Sequence, residues 1–348
     1  MSIEISFIIP VHNSAATLDR ALDSVLNQSV RDIEVIAVND GSADDSGKIL
    51  SDRAAKDQRL KVITFDSNRG TLSARLHALH QACGKWVMFL DPDDEFTTDA
   101  AETLLKIAGE HPADIIHFHL KELCSGKRRW NWCPARPGLV SGDLAVVRDL
   151  LCDGGHYWNL CLKMIKREII TPALADIEDF YCIMCEDLYM DLAFELRANS
   201  IYKTDFAPYI YHTDNGVTTA KKRTLASFTN LISALKALEL CAAMLPQDIF
   251  TGKMHDITVK QCRILLARCR LEVAETDQAA ALAKLRDCGF CTAALAEAET
   301  MPPLAKLNAE DFLPGHPVLR QIIDFFLPPG SCRRLWFKTR IKRLLKRN

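Results

Sequence analysis

The sequence predicts an α/β protein. A mainly parallel sheet with helices on both faces spans residues 1–220, a helical C-terminal domain follows over 221–330, and a basic amphipathic tail occupies 331–348. Three observations predict it. Short apolar runs rich in β-branched residues alternate with segments of helical apolar spacing, the pattern of strands joined by helical crossovers. Each strand-like run stops abruptly in polar residues, so the strand ends would line one rim, where open α/β sheets bind nucleotides. After residue 220 only the helical spacing persists.

The elements follow in order. Ile5 to Val11 is the first strand-like run, closed by Asn13-Ser14, and from Thr17 the spacing of Leu18, Ala21, Leu22, Val25 and Leu26 is helical. Ile33 to Val38 stops at Asn39-Asp40-Gly41-Ser42, and Leu60 to Phe65 stops at Asp66-Ser67-Asn68-Arg69-Gly70. Lys85 to Leu90 is the fourth strand and Ile115 to Leu120 the fifth. Leu188, Leu192, Phe194 and Leu196 read as a buried helix, and Tyr209 to His212 as a further strand. Helical spacing then covers Leu225 to Leu245, Ile257 to Val273, Ala279 to Leu285 and Ala293 to Ala298, before a stretch punctuated by Pro302-Pro303, Pro314, Pro317 and Pro328-Pro329.

The chemistry concentrates at Val87 to Glu95, where an apolar strand runs into Asp91, Asp93, Asp94 and Glu95. Carboxylates this close repel, and a cation among them relieves the repulsion. Mg²⁺ and Mn²⁺ take oxygen ligands, commonly one or two carboxylates plus a substrate's phosphates. The alternative is a polar turn with Asp93 or Asp94 capping the next helix. Asp40, beside a Gly-Ser turn, can accept the imide N–H of a uracil, or serve as an Asx-turn or helix cap for the segment from Ser42. Arg75, in the helix after the Asn-Arg-Gly turn, reaches for the nucleotide or lies on a solvated face. Glu186-Asp187 sits at a helix N-terminus, which favours carboxylates through the helix dipole; a general base there is the alternative to a structural pair. No Gly-x-Gly-x-x-Gly follows the first strand and no Walker A pattern occurs, so dinucleotide and P-loop sites are excluded.

Several motifs in register resemble family 2 glycosyltransferases of the GT-A fold. They are Phe7-Ile8-Ile9-Pro10-Val11-His12-Asn13, Ser24 to Ser29, Glu34 to Ser42, Asn68-Arg69-Gly70 with Ala74-Arg75, Phe89 to Asp94, and Glu186-Asp187-Leu188. The resemblance covers about residues 1 to 220 and implies an inverting transfer from a nucleotide-diphosphate sugar, most often a UDP-sugar, to a glycan or lipid-linked oligosaccharide. Bacterial capsule, lipopolysaccharide or exopolysaccharide synthesis is the implied setting. It implies donor contacts at Pro10, His12, Asn13, Asp40, Asn68, Arg75 and Asp91, a Mn or Mg ion on Asp93 and Asp91, Asp187 as base, and Glu186 orienting the acceptor. His12 stands where the family usually has Tyr, and Asn39 where it often has Asp, which leaves His12 open between nucleobase stacking and packing. His212 fits the order of a third metal ligand; a hydrogen bond to the diphosphate or plain packing are its alternatives. Thr218 and Thr219 resemble a donor-covering loop. Trp158-Asn159, with Lys163, resembles a motif of bacterial polysaccharide glycosyltransferases and marks an acceptor side. Trp130, Trp132 and Tyr157 nearby suit sugar faces or hydrophobic packing.

Composition fits a cytoplasmic enzyme: 48% hydrophobic and 25% charged residues suffice for a full core. Met1-Ser2-Ile3-Glu4 runs straight into the first strand without a targeting pattern. No uninterrupted apolar stretch reaches the roughly 20 residues of a membrane span. Thirteen cysteines outside a secretory context are expected as reduced thiols. Cys182/Cys185 and Cys288/Cys291 are CxxC pairs in different regions, better read as buried thiols than as a zinc site. The helical domain offers an acceptor platform or a homo-oligomer contact. In the tail, Arg333, Arg334, Lys338, Arg340, Lys342, Arg343, Lys346 and Arg347 interleave with Leu335, Trp336, Phe337, Ile341, Leu344 and Leu345. That pattern suits an anionic membrane surface, placing the protein peripherally on the inner face of the cell membrane. A solvated tail or a nucleic-acid contact is its alternative, and no nucleic-acid partner is expected. The absence of a Gln-x-x-Arg-Trp motif argues against a processive polymerase. The rival readings are an inactive nucleotide-sugar-binding protein and a membrane-bound adaptor.

Overall fold

β1 (Ile5–Val11), α1 (Leu18–Leu26), β2 (Ile33–Asp40), α2 (Ser46–Ala54), β3 (Leu60–Phe65), α3 (Thr71–Gln81) and β4 (Trp86–Phe89) open the chain in strict alternation. The computed structural model describes residues 3–124, 127–132, 137–152, 158–212, 222–246 and 250–304. Next come β5 (Glu95–Phe96), α4 (Ala100–Glu110), β6 (Ile115–His117), β7 (Leu120–Cys124), β8 (Lys127–Trp132), β9 (Gly138–Ser141) and α5 (Ala145–Leu151). Then follow β10 (Lys163–Lys166), α6 (Arg167–Ala173), α7 (Glu186–Glu195), β11 (Ser200–Lys203) and β12 (Tyr209–His212). α8 (Leu225–Leu231), α9 (Ser233–Met244), α10 (Thr251–Glu272), α11 (Glu275–Asp287) and α12 (Thr292–Thr300) complete the described chain.

Eight strands form one mixed sheet in the order β3-β2-β1-β4-β10-β6-β11-β9. β3, β2, β1 and β4 run parallel, and β10 lies antiparallel between β4 and β6. β1 and β2 are buried along their whole length, because helices cover both faces. Alternate side chains feed two cores. Ile8, Ile36 and Phe89 pack with α3, α5, α7 and the C-terminal helices. Phe7, Ile9, Val35 and Met88 pack with α1, α2 and α4. β4 pairs with β1 only as far as Ile8, and Pro10 lies beyond that end, where no β4 residue asks for its missing N–H.

One expectation is corrected. The fifth strand is not one strand from Ile115 to Leu120. β6 ends at His117, the Phe118 and His119 amides turn to the carbonyls of Leu162 and Phe206, and β7 begins a second sheet ordered β5-β12-β7-β8. Periodicity cannot register a change of ladder partner. Leu225–Met244, though interrupted by Lys236 and Glu239, is long and apolar enough to cross a membrane by length and composition. Its Phe228, Leu235, Leu238 and Cys241 are fully buried in the core, and α9 packs against α7 and α10. The tail over 331–348, Tyr157, Thr218 and Thr219, and the side chains of Trp130 and Trp132, fall outside the described residues.

Candidate active site

The ends of β1, β2 and β3 meet in a hydrogen-bonded rim. Asp40, at the end of β2, is 3% exposed. Its two carboxylate oxygens accept from the backbone amides of Arg69 (2.6 Å) and Gly70 (2.9 Å). Asp40 therefore clamps the Asn68-Arg69-Gly70 turn. The Asx-turn role falls to Asn39, whose Oδ1 accepts from Ser42 N. Both glycines of the rim are required: Gly41 and Gly70 have φ of +61° and +87°, and a Cβ on either would strike backbone atoms within 3 Å. Asn13 Oδ1 accepts from Ala43 N, and Asn68 Oδ1 from Gly70 N. Both amide groups are thus turned to donate to His12 Nε2, each at 3.0 Å. The His12 proton consequently sits on Nδ1, donated to the Asp40 carbonyl at 2.7 Å. Exposed His12 forms part of a polar network rather than a packed core.

The acidic turn after β4 divides its carboxylates between structure and chemistry. Asp94, 1% exposed, accepts from Tyr209 Oη at 2.7 Å and His212 N at 2.8 Å. Burial, then Asp91 and Asp93, raise its pKa well above the usual carboxylate range. It anchors the turn to β12. Asp93 is half-buried, and burial and the neighbouring Asp91 push its carboxyl up to about 6. A buried carboxylate destabilised by a second one is the environment a divalent cation relieves, so Asp91 and Asp93 fit a two-carboxylate ion site. No group of three or more candidate ligands forms among the described residues. His212 is not drawn into such a group: its Nε2 lies 2.9 Å from Glu95 Oε1.

Arg75 joins this turn to α7. It does not lie on a solvated face. It is 2% exposed, with Nη2 3.0 Å from Asp91 Oδ1 and Nη1 bonded to Asp187 Oδ1 and 3.3 Å from Glu186 Oε1. Burial opposes its charge, but Asp187, Asp91 and Glu186 outweigh it and raise its pKa. One cation serves three acids. Burial and Asp187 push Glu186 up to about 8, against the pull of Arg75. Asp187 is also raised, by burial first, while Arg75 pulls it back. The two acids open α7, Cys185 before them taking a left-handed φ of 64°.

Other candidates fall elsewhere. Trp158, an acceptor-side candidate, is 8% exposed and packs in the core; Asn159 is half-buried beside it. The Cys182 thiol is buried and pushed up to about 12. The sequence reading missed Tyr209, which also lies 3.4 Å from Asp91 N through its hydroxyl. It missed Arg20 too, whose guanidinium donates to the Asp93 carbonyl. Neither residue carries a local motif; both act across more than 70 positions.

The strand-end acidic turn thus faces a helix that begins with two acids, on a mixed sheet whose parallel half carries a polar rim. The chain belongs to glycosyl transferase family 2, whose family model matches residues 6–184 and ends just before Glu186. An uncharacterized glycosyltransferase of Bacillus subtilis (strain 168), EpsJ, is 34% identical over 214 residues, 60% of each chain. A "GalNAc(5)-diNAcBac-PP-undecaprenol beta-1,3-glucosyltransferase" of Campylobacter jejuni is 33% identical over 114 residues, 32% of this chain and 37% of that protein. The chain thus spans 60% of the first relative's length and 37% of the second's. S. aureus TarS 1-349 in complex with UDP-GlcNAc shares the fold, with TM-score 0.53 and 17% identity over 90% of this chain and 98% of that one.

Proposed function

We propose that the protein is an inverting glycosyltransferase that moves a sugar from a UDP-sugar donor to a hydroxyl of a glycan or lipid-linked oligosaccharide in bacterial surface-polysaccharide synthesis. The observation that carries the reading is the single buried guanidinium of Arg75 spanning Asp91 and Asp187. It brings a diphosphate-side acid and a base within one side chain's reach of each other. At the rim, Asp40 retains lone pairs for a uracil imide beside the clamped turn, with His12, Asn13 and Asn68 walling the nucleoside and Pro10 beneath. Mn²⁺ or Mg²⁺ held by Asp93 and Asp91 would supply Lewis-acid stabilisation of the departing UDP. Asp187, held by Arg75, takes the proton of the acceptor hydroxyl. Glu186 holds its proton and orients that hydroxyl as a donor. The relative that acts on an undecaprenol-linked glycan supports a lipid-linked acceptor, and the basic tail supports peripheral attachment to the inner, anionic face of the cell membrane.

A screen of UDP-sugars for UDP release, with Mn²⁺ or Mg²⁺, tests the reading. Release with one donor, abolished by EDTA and restored by excess cation, is the expected result. Undiminished activity in chelator would remove the cation from the proposal, and release from no UDP-sugar would remove the function. Co-sedimentation with anionic liposomes tests the membrane half: loss of 331–348 should free the protein while leaving UDP release intact.

A further inference from the structure

We propose that Lys163 is the positioning residue for the base: from the middle of the sheet it fixes the rotation and height of α7, and with them the place of Asp187 in the cleft. The proposal rests on the reading of Asp187 as base. α7 packs Leu188, Leu192 and Phe194 into the core, yet it also carries acids at positions 187, 191 and 195. Steps of four place these on one face of the helix. Asp191 and Glu195 are 0% and 1% exposed, a burial that carboxylates take only when paired. Lys163, itself 0% exposed, reaches both: its Nζ bonds Asp191 Oδ2 and lies 3.2 Å from Glu195 Oε1.

The lysine opens β10, and the next residue, Met164, pairs with Met88 of β4. β4 is the strand that runs on into Asp91. One step across the sheet therefore links the donor-side acid to the base helix, independently of Arg75. Arg75 grips Asp187 from α3, and Lys163 grips the same helix one and two turns further along. Its charge also lies close enough to favour the ionised form of Asp187. A buried ion pair stabilises a fold little better than apolar residues of the same volume. What it does impose is a single arrangement, because turning or sliding α7 would pull two buried carboxylates off Lys163.

The test compares Asp187→Asn, Lys163→Met, the charge-compensated triple variant Lys163→Met/Asp191→Asn/Glu195→Gln, and the triple variant with Asp187→Asn added. All are made in the full chain and read by thermal melting, UDP affinity, and kcat and KM for the UDP-sugar turned over fastest by the wild type. Lys163→Met alone takes the lysine cation from two buried acids and should melt early. The triple variant removes the charges of those two acids together with that of the lysine. It should melt cooperatively and bind UDP within about twofold of wild type. Its kcat should fall about 10²-fold, the scale of a base displaced by an ångström, with donor KM unchanged. Adding Asp187→Asn should then cost much less than it does in the wild type, since residues acting through one another are not additive. A triple variant with wild-type kcat, or with a fully additive Asp187→Asn loss, overturns the proposal, and one that fails to fold makes the triad a folding element instead. A harmless Asp187→Asn in the wild type, or no UDP release from any donor, sinks the reading of the base and the proposal with it.

Discussion

The nucleotide rim and the base helix solve the same problem, holding acids in place, by opposite means. At the rim, Asp40 is fixed by backbone amides of a turn some thirty residues away, and Asn13, Asn39 and Asn68 complete the network without any counter-ion. On α7, the acids are held by cations from distant elements: Arg75 across more than 100 residues, Lys163 across about 30. Backbone amides give fixed geometry with little dependence on pH. Side-chain cations give geometry that depends on charge: burial raises both Glu186 and Asp187, and Arg75 pulls both back. On the proposed function, binding belongs to the first region and proton transfer to the second.

The largest effect should come from breaking the bridge between them. Arg75→Met leaves Asp91, Glu186 and Asp187 without their shared cation, and stripping one partner from a buried ion pair costs roughly 3–5 kcal/mol. Chemical denaturation should show that loss, and UDP release should disappear with it; wild-type stability would mean that the acids find other partners. Asp40→Asn acts on the rim alone. An amide offers one acceptor oxygen where the carboxylate offers two, so either the part-buried Arg69 N–H loses its acceptor or Gly70 N–H keeps only Asn68 Oδ1, for up to about 1–3 kcal/mol. UDP affinity should fall and base-side behaviour should not change. Unaltered UDP affinity would separate the clamp from nucleotide binding.

The smallest effect at neutral pH belongs to Glu186→Gln, because glutamine mimics the protonated acid. The difference appears in the pH profile. Glu186 holds its proton up to about 8 when folded against a usual 4.5. The stability it contributes is therefore complete below about pH 4.5 and lost as the pH rises through 8. Melting curves of Glu186→Gln should be flatter than those of wild type across that window. Parallel profiles would show that Glu186 is ionised in the native protein, which would put it in competition with Asp187 for the role of base.

The difference between the regions also explains what the sequence could reveal. β1, β2 and β3 carry their functional residues at their own ends, so an apolar run followed by Asn-Asp-Gly or Asn-Arg-Gly discloses both strand and site. The acidic pair of α7 was visible for the same reason. Its supports were not. Arg75 looks like a solvated helix residue until α7 is packed against α3, and Trp158 looks like a sugar platform until the sheet buries it. β10 enters the sheet between β4 and β6 against the chain order, which no local pattern foretells. The one legible clue on that side was the spacing of Asp187, Asp191 and Glu195 within an apolar helix. Carboxylates repeated every fourth position on a buried face require a cation, though the spacing does not say which.

The claim that binding and proton transfer reside in separate regions is tested most directly by Asp187→Asn, with UDP binding measured by calorimetry and turnover by UDP release on the same preparation. The account predicts UDP affinity within about twofold of wild type and turnover lower by about 10²-fold or more, the scale of general base catalysis. Turnover at the wild-type rate, or loss of UDP affinity in step with turnover, would contradict it.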